Sequence, residues 1–472
     1  MLEPVIGLEV HLALRTKTKM FCGCAADGFG IAPNTYVCPV CLGLPGSLPV
    51  VNRDAVEKAI MFSLALHCDV PEHTQFHRKN YFYPDAPKNY QISQFDRPVG
   101  EGGFLLLDND RRIGIIRCHV EEDAGKLVHP SYRDYSLVDL NRAGAPLLEM
   151  VTEPDIRTPE EAREFLIKVR AIAQALGVSD ASPEEGKMRA DVNVSLSRPG
   201  APLGTKVEVK NLNSFKSVQQ ALAFEIRRQG ALLEEDRPVF QETRGWNEGG
   251  QKTYLLRGKE GTSDYRYFPD PDLPPMRISK EWLESIRAAT PELPDAKNAR
   301  YLALGVRPAD ARLIALEVGL SAFFDRAVAL YGGKAQVLAN WLNADITGHL
   351  KAAGLTLAGS SLTPEHLVAM VRLIDEGVIS GKIAKDILPD VMRGAGPEEL
   401  VEARGLKQIT DSGAIETLVA AVIEANPEIV ANVKDNPKAI NALLGRVMKE
   451  SRGQANPELV RKLLNEKLEV LA

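Results

Sequence analysis

Four stretches of this chain alternate apolar and polar positions with the period of two that a β-strand imposes. From Ile6 to Leu14 the even positions Ile6, Leu8, Val10, Leu12 and Leu14 are apolar, and Glu9 and His11 fall between them. RIGIIRCHVEEDAGK sets Arg117, His119 and Glu121 against Ile116, Cys118 and Val120. GKMRADVNVSL sets Arg189, Asp191, Asn193 and Ser195 against Met188, Ala190, Val192, Val194 and Leu196, and GTKVEVKNLNSF sets Lys206, Glu208 and Lys210 against Val207 and Val209. One polar face on one strand is what a solvated antiparallel sheet shows. Four such strands whose polar positions are acids and bases, in place of the usual Thr and Gln, predict a shared charged face. Glu122 stands on the apolar parity of its strand, so it must leave strand geometry or meet something that repays its burial, such as a metal ion. The set Glu9, His11, Glu121, Glu122, Asp191 and Glu208, interleaved with Lys206, Lys210, Arg117 and Arg189, suits Mg²⁺ and phosphate. Hard cations take carboxylate oxygens, and Lys and Arg offset the charge of phosphoryl oxygens.

Between these strands the spacing predicts helices: one from about Asp54 to His67 with Asn52 as N-cap, and one opened by Thr158, Pro159 and Glu161. Phe165, Leu166, Val169, Ile172, Ala173 and Leu176 form the apolar stripe of the latter, ended by Gly177. Ser214 caps a third, to about Leu233. Strands with helices folded against one side predict an α+β domain, largely antiparallel, over residues 1–293. From there on the spacing is helical only, with breaks that divide it into an all-α domain, 294–403, and a small helical tail, 404–472. In residues 434–472 eight Lys or Arg face five Asp or Glu, and the last helix leaves Arg461, Lys462 and Lys467 on its outer face. A charge run is ordinarily a solvated face; RNA contact is the functional alternative.

A chain of 472 residues, 44% hydrophobic, expects more than one domain, and a net charge of -6 excludes bulk coating of nucleic acid. No apolar run reaches the roughly 20 residues of a membrane span and no signal peptide is visible, so a cytoplasmic protein without membrane contact is expected. Cys22, Cys24, Cys38 and Cys41 form a C-x-C and C-x-x-C arrangement. In a reducing compartment that reads as a closed, structural Zn²⁺ site, while Cys68 and Cys118 read as buried thiols. RKNYFYPDAPKNYQISQFDRPVG mixes Tyr81, Phe82, Tyr83 and Tyr90 with Arg78, Lys79, Lys88 and Arg97, and DYRYFPDPDLPP, from Asp264, echoes it. Such segments either stack and neutralise a nucleotide or are edge strands with core tyrosines. There is no phosphate-binding G-x-x-x-x-G-K-[ST] loop and no nucleophilic Cys or Gly/Ser-rich amidase signature, so if ATP is used its phosphates are gripped by side chains and metal on a sheet, and an enzyme that consumed ammonia here would need to receive it from a partner.

GLEVHLAL, CPVCLGLPG, RKNYFYPDAPKNYQISQ, HVEEDAGK, VDLNRAGAPLLEMVTEPDI, GTKVEVKNLNSF, DYRYFPDPDLPP and GQANPELV together resemble the B-subunit family of bacterial aspartyl/glutamyl-tRNA amidotransferases over the whole chain. The resemblance implies a cradle domain similar in fold to the catalytic part of glutamine synthetase, then a helical domain and a tail that contacts tRNA. It implies a ligase forming C–N bonds in a heterotrimer. ATP phosphorylates the side-chain carboxylate of tRNA mischarged with Asp or Glu, and ammonia displaces the phosphate. Glutamine hydrolysed in the amidase, or A, chain of the complex supplies the ammonia. A small third chain, C, joins the amidase to the B chain, and a non-discriminating aminoacyl-tRNA synthetase is a further possible associate. By motif position the resemblance puts Glu9, His11, Glu122, Asp191 and Glu208 on Mg²⁺ and Lys79 near phosphate. Two other readings are a non-catalytic RNA scaffold, which expects exposed Lys and Arg in place of converging acids, and a stand-alone ligase using free ammonia.

Overall fold

The computed structural model describes residues 2–258, 265–409, 412–435, 439–451 and 453–471. The chain divides into two compact units, Met1–Pro294 and Asp295–Ala472. The first is built on an eight-stranded sheet of β1 (Glu3–Ala13), β2 (Gly100–Leu106), β3 (Arg112–Glu122), β4 (Pro146–Thr152), β5 (Met188–Ser197), β6 (Val207–Lys210), β7 (Glu242–Asn247) and β8 (Lys252–Gly258). Its spatial order is β8-β7-β6-β5-β1-β4-β3-β2, with β1 near the middle. Neighbours are antiparallel except β6 and β7, which run parallel, as the α+β expectation requires.

The alternation in β1 and β5 is obeyed in three dimensions. Ile6, Leu8, Val10 and Leu12 are buried with Val192, Val194, Val207 and Val209 in one core. Helices α1 (Arg53–Ala65), α2 (Pro159–Ala175) and α3 (Phe215–Glu234) pack into that core through Val56, Ile60, Phe165, Leu166, Val169, Val218 and Leu222. Each helix starts where its cap allows: Asn52, Thr158 and Ser214 side chains accept the first free amides, from Ala55, Glu161 and Ser217. The Glu161 carboxylate reaches back to the amide of Arg157, and Gly177, at φ +65°, closes the turn after α2. Phe165 is fully buried, so its truncation to Ala costs about 3–5 kcal/mol.

In β3 the strict alternation expected from the sequence breaks. The register shifts between Ile115 and Arg117, a bulge. Ile113 and Ile115 reach the core on odd positions before it, and Cys118 and Val120 reach the same core on even positions after it. Ile116 is left exposed, contrary to its expected place on the apolar side. The bulge thereby turns Arg117, His119 and Glu121 to the face opposite the core.

The second unit is helical. One apolar cluster runs from Tyr301 to Val401, and a smaller one from Ile415 to Leu464. Among the described residues no helix is long and apolar enough to cross a membrane.

Candidate active site

The sheet face turned away from the helices carries the acids. Glu9 lies directly opposite Asp191, and Asn193 opposite Glu208, so register alone puts side chains of β1, β5 and β6 on one patch. One carboxylate oxygen each from Glu9, Asp191 and Glu208 lies within 4.8 Å of the other two. Every one of the three has a fixed partner. Asn193 Nδ2 donates to Glu9 at 3.0 Å and Thr243 Oγ1 to Glu208 at 2.7 Å. The Lys210 ammonium bonds Asp191 and sits 3.2 Å from the second oxygen of Glu208. Burial pulls the Lys210 ammonium down, but Asp191 and Glu208 outweigh it and hold the amine above its ordinary value. The Lys210 ammonium neutralises these oxygens, and three converging carboxylates are the kind of donor set that hard cations take.

One row along the strands, His11 faces Glu149 of β4 and Arg189 of β5, and His119 faces Glu149 from the far side. His11, Glu121 and Glu149 form a second group with ligand atoms within 4.8 Å. His11 Nδ1 is 3.6 Å from Glu121 and 3.9 Å from Glu149 and makes no hydrogen bond among the described residues; His119 Nε2 is 3.7 and 3.5 Å from the same carboxylates. Burial favours the neutral forms throughout, yet the mutual attraction wins. The His119 imidazole is raised to about 9 by Glu149 and Glu121 despite its burial, and the two imidazoles hold Glu121 well below the carboxylate range. Successive residues on one face of a strand repeat at about 6.6 Å. The two groups are therefore adjacent but distinct.

Lys79 comes to this second group from a small three-stranded sheet of His77–Asn80, Tyr90–Ser93 and Phe268–Pro269. Ser93 Oγ donates to Glu121 at 3.3 Å, tying that sheet to β3. Burial lowers the Lys79 ammonium, but Glu121 and then Glu149 raise it above its ordinary value, so the amine is charged.

Two expected members lie elsewhere. Glu122 keeps its apolar parity and turns to the core side, where Lys88 Nζ is 2.6 Å away and the Ile92 amide donates at 2.9 Å. The partner that offsets its burial is a lysine, and it belongs to neither acid group. Lys206 is exposed just ahead of β6, outside both groups. Conversely, the sequence pattern gave no sign of Glu149. Its neighbours on the same face, Leu147 and Val151, are apolar, so PLLEMVT shows no alternation; the only signal was a lone acid in an apolar run.

The cysteines form a third group. Cys22, Cys24, Cys38 and Cys41 offer sulfurs within 4.8 Å of one another, with the Cys38 amide donating to Cys41 Sγ at 3.1 Å. Lys19, fully buried, holds its ammonium 3.5 Å from Cys41 Sγ and donates to the Tyr36 carbonyl at 2.7 Å. A hydrogen bond with Cys22, then the Cys38 amide and Lys19, bring the Cys41 thiol down to about 4 against the effect of burial. Four sulfurs close a tetrahedron and leave no position for a substrate, so this group fits a structural metal. A cavity of about 200 Å³ separates it from Lys88 and Glu122. Asp264 lies outside the described residues.

Two family matches cover most of the chain: the GatB/GatE catalytic domain over residues 4–284 and the GatB domain over 322–468. The B subunit of the aspartyl/glutamyl-tRNA(Asn/Gln) amidotransferase of Thermus thermophilus is 57% identical over 471 residues, covering all of both chains. The proteins of the same name from Deinococcus radiodurans and Carboxydothermus hydrogenoformans are 56% and 50% identical, over 99% of this chain. Full-length similarity at this level, on a sheet that gathers the acids of the shared motifs, means that this chain belongs to the GatB family.

Proposed function

We propose that this chain is the amide-forming component of a tRNA-dependent amidotransferase, acting on Asp or Glu esterified to tRNA. What supports it most directly is the convergence of Glu9, Asp191 and Glu208 beside His11, Glu121 and Glu149 on one sheet face, with Lys79 and Lys210 at its edges. Each of the two groups would hold one Mg²⁺ through oxygen donors, with His11 Nδ1 as a nitrogen donor in the second, and Glu121 would take the place that motif position had given to Glu122. Mg²⁺ bound there would supply positive charge against the transferring phosphoryl group.

The chain's own residues prepare the rest. Lys79 presents positive charge to phosphoryl oxygens, and Lys210, which neutralises Asp191 and Glu208 before a metal binds, yields those oxygens to the cation and becomes available to phosphate. Asn193 and Thr243 hold Glu9 and Glu208 in one rotamer, so the carboxylates do not move when a cation arrives. The side-chain carboxylate of the substrate attacks the terminal phosphorus of ATP, giving an acyl phosphate and ADP. Ammonia then attacks the acyl carbon and expels phosphate. Because water competes for the same acyl phosphate, ammonia must arrive by an enclosed route from a glutamine-hydrolysing partner, the amidase chain, joined through the small third chain. The Cys22, Cys24, Cys38 and Cys41 group binds Zn²⁺ structurally. The tail, 404–472, carries tRNA contact, and the setting is cytoplasmic.

The test supplies ammonium chloride in place of the partner's product and follows amide formation on mischarged tRNA. Activity must require ATP, Mg²⁺ and tRNA together. Turnover on free Asp or Glu without tRNA would instead identify a stand-alone ligase. Removing 404–472 is expected to raise KM for tRNA with little change in kcat, and an unaltered KM would dissociate the tail from RNA.

A further inference from the structure

The two aromatic segments singled out in the sequence meet in space, and the cation groups leave their rings unexplained. Strand Phe268–Pro269 pairs with His77–Asn80, and the residues just before it are bound to Asn80: its amide donates to the Tyr265 carbonyl at 3.0 Å and its Nδ2 to the Arg266 carbonyl at 2.9 Å. Arg266 is thereby held at φ +46°, a conformation that a residue with a Cβ adopts only at a cost. Tyr265 and Tyr267, on either side of it, meet edge to face with centroids 6.1 Å apart.

From that pair the rings form a file. Lys79 Nζ lies 5.1 Å from the Tyr265 ring, and Tyr267 stacks on Phe95 at 4.4 Å with only 12° between planes. His77, whose Nε2 lies 3.0 Å from Asp96 Oδ1, makes a T-shaped contact with Phe95 at 6.3 Å between centroids. Tyr267 covers one face of the Phe95 ring, yet Phe95 remains 54% exposed. The file starts at the amine that Glu121 and Glu149 hold charged and ends at the Phe95 ring, more than half exposed. A nucleotide likewise carries phosphate at one end and a base at the other, and stacking on an aromatic face is how proteins take a base without reading its identity.

We propose that the stacked pair Tyr267 and Phe95 is a base-stacking platform that receives an adenine ring, with Lys79 at the phosphate end of the same ligand. The inference rests on the reading of the acid groups as a Mg²⁺ and phosphate site. Adenine reaches this place from two sources, the nucleoside triphosphate or the 3′-terminal adenosine that carries the amino acid on tRNA. A purely structural pair contributes stability and nothing to a ligand.

The test uses the full chain with Mg²⁺ and two fluorescent probes, 2-aminopurine riboside triphosphate and an RNA minihelix whose 3′-terminal adenine is 2-aminopurine. Stacking quenches this base. The wild-type chain is expected to quench one probe, and that probe identifies the source. Phe95→Ala and Tyr267→Leu are expected to lose the quench and to weaken that probe on the order of tenfold, whereas Phe95→Trp keeps both. Phe95 is exposed enough for its variants to fold, which circular dichroism checks. Quenching of neither probe by the wild type, or quenching that survives both substitutions, overturns the platform. Binding of inorganic triphosphate with Mg²⁺ is expected to be equal in all variants. Its absence in the wild type strikes the cation reading of the acid groups and not the stacked rings.

Discussion

The acid groups on the sheet and the cysteine group in the loop after β1 both bring donor atoms within 4.8 Å, but they reach that state by different routes. The cysteines are held by a short segment whose ends are close, so local spacing suffices. Glu9 stands far along the chain from Asp191 and Glu208, and only the register of β1 on β5 and of β5 on β6 makes the three neighbours. The acids are also furnished with Asn193, Thr243 and Lys210, so their geometry exists before any cation binds. The cysteines have one buried cation, Lys19, against four sulfurs. The difference teaches that donor atoms can be gathered by register across a sheet or by local spacing in one loop, and a metal bound to the four sulfurs is expected to add to the order of that loop.

The comparison breaks first at the acids. Asp191→Asn or Glu9→Gln is expected to lower ATP-dependent amide formation with free ammonium by roughly a hundredfold or more, with the fold intact by circular dichroism. A rate near wild type removes these carboxylates from the chemistry. The next effect separates two adjacent glutamates. Glu122→Ala leaves Lys88 buried without its carboxylate and is expected to cost about 3 kcal/mol in denaturant unfolding. Both substitutions remove a buried carboxylate, so the reaction separates them: Glu121→Gln is expected to lower kcat of the folded protein while Glu122→Ala leaves it near wild type, and a reversal of these two outcomes would restore Glu122 to the site.

Smaller effects sharpen the loop. Lys19→Met is expected to weaken zinc retention against a chelator by roughly 10- to 100-fold. Loss of bound zinc is expected to speed hydrogen exchange in residues 19–50 while ATP-dependent turnover stays within about tenfold, the scale of a single contact that supports a ligand from behind. Exchange that is unchanged by zinc removal would mean that the loop orders itself. The last effect is a pH slope. The folded pKa of His119 is raised from 6.5 to about 9, so its contribution to stability is complete below about pH 6.5 and is lost as the pH rises through about 9. Metal-free protein unfolded by denaturant across that window is expected to show the decline, and His119→Asn to remove it.

Much of this was legible in the chain. Alternation marked β1, β5 and β6 and assigned Glu9, His11, Asp191 and Glu208 to one face, and caps marked α1, α2 and α3. These are local properties, dictated by the two-residue period of a strand and the unsatisfied amides of a helix start. What stayed hidden was nonlocal. The bulge in β3 exchanged the two faces midway, which left Ile116 in solvent and, in the turned strand, sent Glu121 to the acids and Glu122 to Lys88. Glu149 sat in an apolar run that showed no period. A side chain's parity belongs to its own strand, but its partner is chosen by register with other strands, for β1 more than a hundred residues away, and that choice is made only when the sheet closes over its core.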